Sequence, residues 1–207
     1  AKMFLELTEA DSLEIEPPHD VKNLDFQIRL KNAGDRIKQG SLKKIVVPEW
    51  VKYRAWFEKV LNTIRSVLKK AGFEVPPKSS NFADPDEVLK ALKQLGPEQL
   101  IATLGAQTFL NSTLRQRLLQ MIASGATGVL AVSGAAEHRR ILLAIPGIGF
   151  LIRKLFNAEK VLRLIQEMKA RGKIPADFTV WAVADPNKDS IALIEGKIRL
   201  GATKILT

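Results

Sequence analysis

The run Leu119–Gly134, LQMIASGATGVLAVSG, decides the fold. Apolar residues at helical spacing give way at Gly125, and three residues later the chain becomes an unbroken β-branched and apolar run, Gly128 to Val132. A glycine just past a helix accepts the left-handed backbone that ends it, and an apolar run without polar alternation suits a parallel strand buried on both faces. The same order recurs in DRIKQGSLKKIVVPE, in EMKARGKIPADFTVWAVAD and in IEGKIRLGATKILT, where Gly40, Gly172 and Gly201 take the place of Gly125. Gly125-Ala-Thr127 even returns as Gly201-Ala-Thr203. The chain alternates α and β.

Period and punctuation place strands near Leu13–Glu16, Lys44–Val47, Leu100–Leu104, Gly128–Val132, Phe178–Ala184 and Lys204–Thr207, with helices between them. The helix expected from about Trp50 to Ala71 carries an apolar stripe, Trp56, Val60, Ile64, Val67 and Ala71, with Lys52, Glu58, Lys59, Arg65 and Lys69 on its other face. FEVPPKSSNFADPDEV, residues 73–88, is a connector, in which Asp84 is the expected N-cap of the next helix, with Pro85 in its first turn and Glu87 at the capping-box position. Six strands alternating with helices mean a doubly wound sheet or most of a (βα)8 barrel. Periodicity alone does not choose between them.

Composition narrows the function classes. A chain of 207 residues with 46% hydrophobic content can bury one sizeable core. It has no cysteine, which excludes disulfides and cysteine-ligated zinc, and only two histidines. The N-terminal AKMFLELTEAD is too acidic for a signal peptide, and ILLAIPGIGFLI, 141–152, is too short and too broken to span a bilayer. A cytoplasmic protein without membrane segments is expected. The net charge of +10 invites polyanions, but the lysines and arginines gather at helix ends, where they complement the helix dipole.

In either parallel fold, function belongs at the C-terminal ends of the strands. Those ends collect Glu14, Glu16 and His19 after the first strand and Pro48, Glu49 and Trp50 after the second. Gly105, Ala106 and Gln107 follow the third, Ser133 and Gly134 the fourth, and Asp185, Asn187 and Lys188 the fifth. The opposite ends carry Lys43, Lys44, Gln99 and Lys204. Glu14, Glu16 and Glu49 with His19 have the donor atoms for a divalent cation, though their spacing demands none. Ser133 lacks the flanking glycines of a nucleophile elbow, and PGIGF, 146–150, lacks the lysine of a phosphate loop.

SLEIEPP, 12–18, resembles the first strand of the methylenetetrahydrofolate reductase family, whose Ser-Phe-Glu-Phe-Phe-Pro-Pro type motif carries a glutamate proposed to protonate the folate. The likeness continues in residues 100–137, LIATLGAQTFLNSTLRQRLLQMIASGATGVLAVSGAAE, and in residues 178–207, FTVWAVADPNKDSIALIEGKIRLGATKILT. Together they cover 75 of the 207 residues, in the family's order. The resemblance implies a parallel (βα) barrel of the TIM type, a single domain over 1–207 that is incomplete with about six βα units. It also implies a flavin, FAD or FMN, and a reduced folate or pterin. Glu14 is then the candidate general acid, which requires a pKa raised toward neutrality. Thr103, Gln107, Ser133, Gly134, Asp185 and Lys188 are the candidate flavin contacts, and Glu16, His19 and Glu49 the candidate substrate contacts.

The departures are specific. Ser133-Gly134-Ala135 stands where the family has Arg-Gly-Asp, Thr103 where a histidine is frequent, and Glu16 where an aromatic is usual. The last two strands of a barrel are missing from the 207 residues, so the chain is expected either to be a shortened barrel completed by a partner or to be part of a longer one. An open strand edge invites oligomerisation, with ILLAIPGIGFLIRKLF, 141–156, as candidate surface. Two alternatives to the flavoenzyme follow: a barrel relative without flavin that serves as a binding or assembly subunit, and a basic nucleic-acid binder.

Overall fold

The computed structural model describes residues 11–48, 55–75, 83–106, 111–133, 157–185, 187 and 189–207, with the backbone alone for 55–58. In chain order the elements are β1 (Ser12–Glu14), α1 (Leu24–Lys38), β2 (Lys44–Val47), α2 (Ala55–Lys70), α3 (Pro85–Lys93), β3 (Gln99–Gly105), α4 (Asn111–Ala123), β4 (Gly128–Val132), α5 (Ala158–Ala170), β5 (Thr179–Val183), α6 (Ile191–Arg199) and β6 (Lys204–Leu206). Every expected strand is present, within two residues of its expected ends. Gly40, Gly125, Gly172 and Gly201 have φ of 73°, 105°, 62° and 89°, the left-handed backbone that their positions required. Asp84 caps α3 by accepting from the Asp86 N–H, with Pro85 in the first turn.

The strands pair side by side in sequence order, β1 to β6, and each pair is parallel. A doubly wound sheet reverses its order at a switch point so that helices cover both faces; this order never reverses. With right-handed crossovers throughout, the helices fall on one face. The core divides accordingly. Ile15, Ile45, Val47, Leu100, Ala102, Leu104, Val129, Ala131, Val180 and Ala182 point to the helix side and share a cluster with Leu30, Val88, Leu118, Leu162 and Ile165. Their strand neighbours Val46, Ile101, Leu130, Trp181 and Leu206 form a second, separate cluster on the other side. Each fully buried aliphatic side chain contributes about 1.5–3 kcal/mol of burial.

The register is staggered. One row of paired residues runs from Glu14, the last residue of β1, through Val46, Ile101 and Gly128 to Thr179, the first of β5. Slippage of this kind curls a sheet toward a barrel, and the six strands form a curled half-barrel. A Cβ on Gly128 would lie 2.6 Å from Ile101 Cδ1 and 2.8 Å from both Cβ and O of Thr179, so glycine lets the flanking strands close over β4.

One expectation is corrected. Val60, Ile64 and Val67 of α2 are exposed, at 43%, 39% and 60%, while Leu61, Arg65 and Leu68 are buried. Periodicity finds an apolar face but not the surface that it meets. Trp50 and residues 51–54 lie outside the described residues. No helix among the described residues is long and apolar enough to cross a membrane.

Candidate functional site

Two devices bring the strand ends together on one rim. Helices ended by glycine deliver each strand in the same direction, and the stagger sets which side chains share a level. Pairing at β1 puts Leu13 opposite Ile45 and Glu14 opposite Val46, so Leu13 joins the helix-side core and Glu14 faces inward. In a (βα)8 barrel the level climbs by roughly one residue per strand relative to the paired row. Counted so, Ser12, Ile101 and Trp181 form one layer and Val46, Leu130 and Leu206 the next. These layers contain all five buried members of the inner cluster, with Ser12, itself buried, as the sixth residue. Glu14, Thr103 and Val183 form the layer above, and Glu16, Gly105 and Asp185 follow two residues further along the chain, Glu16 and Asp185 just beyond the ends of β1 and β5.

Glu14 is solvent-accessible at its end of the strand, yet its pKa is raised above the ordinary value of 4.5, first by the burial that it has and second by the charge of Glu16. Both causes favour the protonated carboxyl. Thr103 is 93% buried, its exposure being 7%, and its Oγ1 has no hydrogen-bond partner among the described residues. A buried hydroxyl left unpaired costs about 1–3 kcal/mol. Such an atom is explained by strain, by a water or by a ligand.

Asp185 follows β5 and organises the turn behind it. Its Oδ1 accepts from the Asn187 N–H at 3.0 Å, its N–H donates to Asp189 Oδ2 at 3.1 Å, and the Asp189 N–H donates to its carbonyl at 2.7 Å. Glu16, His19 and Ser133 are exposed at the same rim. Gln107, Gly134, Lys188 and Glu49 lie outside the described residues. The structure thus brings Glu14 and Thr103 to one level and Glu16 and Asp185 above them, with His19 and Ser133 in the loops.

Sequence reasoning missed Lys197. It is 7% exposed, and its Nζ donates to the Val183 carbonyl at 2.7 Å and to Asp189 Oδ2 at 2.9 Å. A signal was available: Lys197 stands at helical spacing between Leu193 and Leu200, where α6 should carry an apolar residue. A cleft of about 260 Å³ between α4 and α5, lined by Asn111, Asn157, Glu159, Lys160, Arg163 and Glu167, belongs to the helix layer and not to the inner wall. Burial lowers the pKa of Lys160 there.

No protein-family model matches the chain, and no curated protein matches it. Solved structures are similar at low identity. A mandelate oxidase variant with benzoyl-formic acid is 12% identical with a TM-score of 0.48, over 93% of this chain and 47% of its own. A second variant, with 2-hydroxy-phenylacetamide, is 12% identical with a TM-score of 0.49, over 93% and 47%. A third, with the monooxide FMN adduct, is 12% identical with a TM-score of 0.48, over 94% and 47%. The chain spans about half the length of the solved structures that it matches.

Proposed function

We propose that the chain is a flavin-dependent oxidoreductase of one-carbon metabolism, similar to methylenetetrahydrofolate reductase, that takes FAD or FMN and a reduced folate or pterin at the C-terminal rim of a TIM-type barrel. The observation that carries the reading is Glu14: an inward carboxyl at the end of the first strand whose surroundings favour its protonated form. Its position in SLEIEPP is that of the family's proton-donating glutamate. A carboxyl whose pKa is raised keeps its donor form closer to neutral pH than a free glutamate does, and from that form it can hand a proton to a basic nitrogen of a bound substrate.

The residues present fit a flavin. The inner wall offers the unpaired, buried Thr103 hydroxyl to the polar edge of a flat ring, beside the apolar Val183 and below the carboxylate of Asp185. A flavin would supply the two-electron step. The protein's share is to bind and orient both partners: Thr103 and Asp185 toward the cofactor, Glu16 and His19 toward the substrate, and Glu14 as the holder of the proton. A further subunit beside β1 or β6, whose outer edges have no neighbour among the described residues, belongs to the same proposal.

A second reading keeps the barrel without the flavin, as a binding or assembly subunit; Ser133-Gly134-Ala135 in place of Arg-Gly-Asp favours it. Two measurements separate the readings. A visible spectrum of the purified protein, followed by thermal shift with FMN, FAD and a reduced folate, should show a flavin band or a rise in Tm, since a ligand that binds only the folded state stabilises it. A colourless protein unmoved by either flavin refutes the flavoenzyme.

A further inference from the structure

The β5 rim turn is held by a buried ion pair that none of the roles above uses. Lys197 projects from the outer helix α6, away from the solvent that a lysine seeks, to the last carbonyl of β5. Its second bond goes to Asp189, whose same oxygen accepts the Asp185 N–H. The side chains of Lys197 and Asp189 are only 9% and 23% exposed. Burial of a lysine requires such compensation, and one lost partner leaves an uncompensated charge. The chain Lys197 to Asp189 to Asp185 therefore joins a helix, a strand end and the turn that presents a carboxylate to the rim.

We propose that Lys197 is a positioning residue: with Asp189 as intermediary it holds Asp185, just past the end of β5, where it can meet a ligand on the rim. The identity of that ligand as a flavin rests on the function proposed above. Lys197 touches no ligand and acts through Asp185 alone.

The test uses the full chain with FMN as probe, measuring its Kd by quenching of flavin fluorescence, together with Tm and amide hydrogen exchange. Asp189→Asn keeps the size of the side chain and removes its charge, and Lys197→Met removes the donor. Each is expected to weaken FMN by roughly tenfold or more, the scale on which outer partners of a binding group act. Exchange at the amides of Asp185 and Asp189 should quicken while that of Ile101 to Leu104 in β3 stays slow, the mark of local opening. Because the effect runs through Asp185, Asp189→Asn added to Asp185→Asn should weaken FMN no further than Asp185→Asn alone. Multiplying losses, unchanged FMN affinity in Asp189→Asn, or quickened exchange throughout the sheet each overturn the proposal. If the unaltered chain fails to bind FMN, the flavin reading falls, and exchange at Asp185 and Asp189 alone decides whether Lys197 orders the turn.

Discussion

Glu14 and Thr103 share a level on the inner wall but answer to different physics. A carboxyl whose folded pKa is raised holds its proton more tightly when folded, so its contribution to stability is full below the unfolded value and is lost as pH rises through the folded one. Glu14→Gln removes that loss. Its Tm should match the unaltered protein's below pH 4.5, the ordinary value, and equal or exceed it at neutral pH, and under the proposed function folate-linked turnover should disappear. Turnover that survives Glu14→Gln would remove the glutamate from the mechanism. Thr103→Val replaces an unpaired hydroxyl by a methyl of similar shape. Unfolding in urea should show a gain on the order of 1 kcal/mol, because no hydrogen bond is lost and a desolvation cost is. Flavin affinity should fall at the same time. A loss of stability would mean that the hydroxyl is already satisfied, by a buried water. Glu14 is legible in the sequence, because the strand period alone turns it away from Leu13 and Ile15. The solitude of the Thr103 hydroxyl is not, since it depends on strands distant in sequence that fail to offer a partner.

At the scale of elements, the Gly-Ala-Thr repeat shows one sequence doing one job twice. The Gly125 and Gly201 N–H groups bond to Ile122 and Ile198, and those of Ala126 and Ala202 reach back to Met121 and Lys197, closing α4 and α6 alike. The Thr127 and Thr203 N–H groups then pair with the carbonyls of Leu100 and Val180, each the second residue of the neighbouring strand. The hydroxyls differ. Each donates to the carbonyl that already holds its own N–H, Thr127 at 3.5 Å and Thr203 at 2.9 Å, but Thr127 Oγ1 also accepts the Leu100 N–H at 2.9 Å. Thr127→Val strands a buried donor and should cost about 1–3 kcal/mol in chemical denaturation, Thr203→Val less than about 1. Equal costs would contradict the assignment. Gly128→Ala meets a backbone oxygen that cannot step aside, and overpacking of this kind costs roughly 1–3 kcal/mol. Strand positions are readable because parallel strands buried on both faces are apolar throughout, and helix ends because glycine marks them. The buried face of α2 is not, because Val60, Ile64 and Val67 define a stripe without naming its partner, and Arg65 is buried against the pattern.

At the scale of the whole molecule, the choice between a doubly wound sheet and a barrel is invisible to local pattern, since both alternate α and β; it lies in which strands pair. Unreversed order and staggered register decide it, by collecting the helices on one face and leaving the inner wall to Glu14, Thr103 and the apolar layers beneath. The same arrangement disposes of the charge. Cations on the outer layer are met by anions: Arg117 by Asp86 at 2.9 Å, Arg115 and Arg171 both by Glu167, Arg163 by Glu159, Arg199 by Glu195, and at the opposite rim Lys43 by Glu98 and Lys44 by Asp11. Lys204 lies 4.4 Å over the Trp181 ring. Each exposed pair adds at most about 1 kcal/mol of stability, but together they interleave the two signs around α3, α4, α5 and α6. Binding to nucleic acid scales with the number of phosphates that one face neutralises: six to ten contacts lose roughly 10³–10⁵ in affinity between 50 and 200 mM salt. With the two signs interleaved on these helices, only a weak, diffuse attraction from the net charge of +10 is expected. Fluorescence anisotropy with a labelled duplex should give a shallow slope of log affinity against log salt, with binding gone by about 200 mM. A slope steep enough for six phosphates, with affinity retained at that salt, would require a contiguous basic face and would replace the oxidoreductase with the nucleic-acid reading.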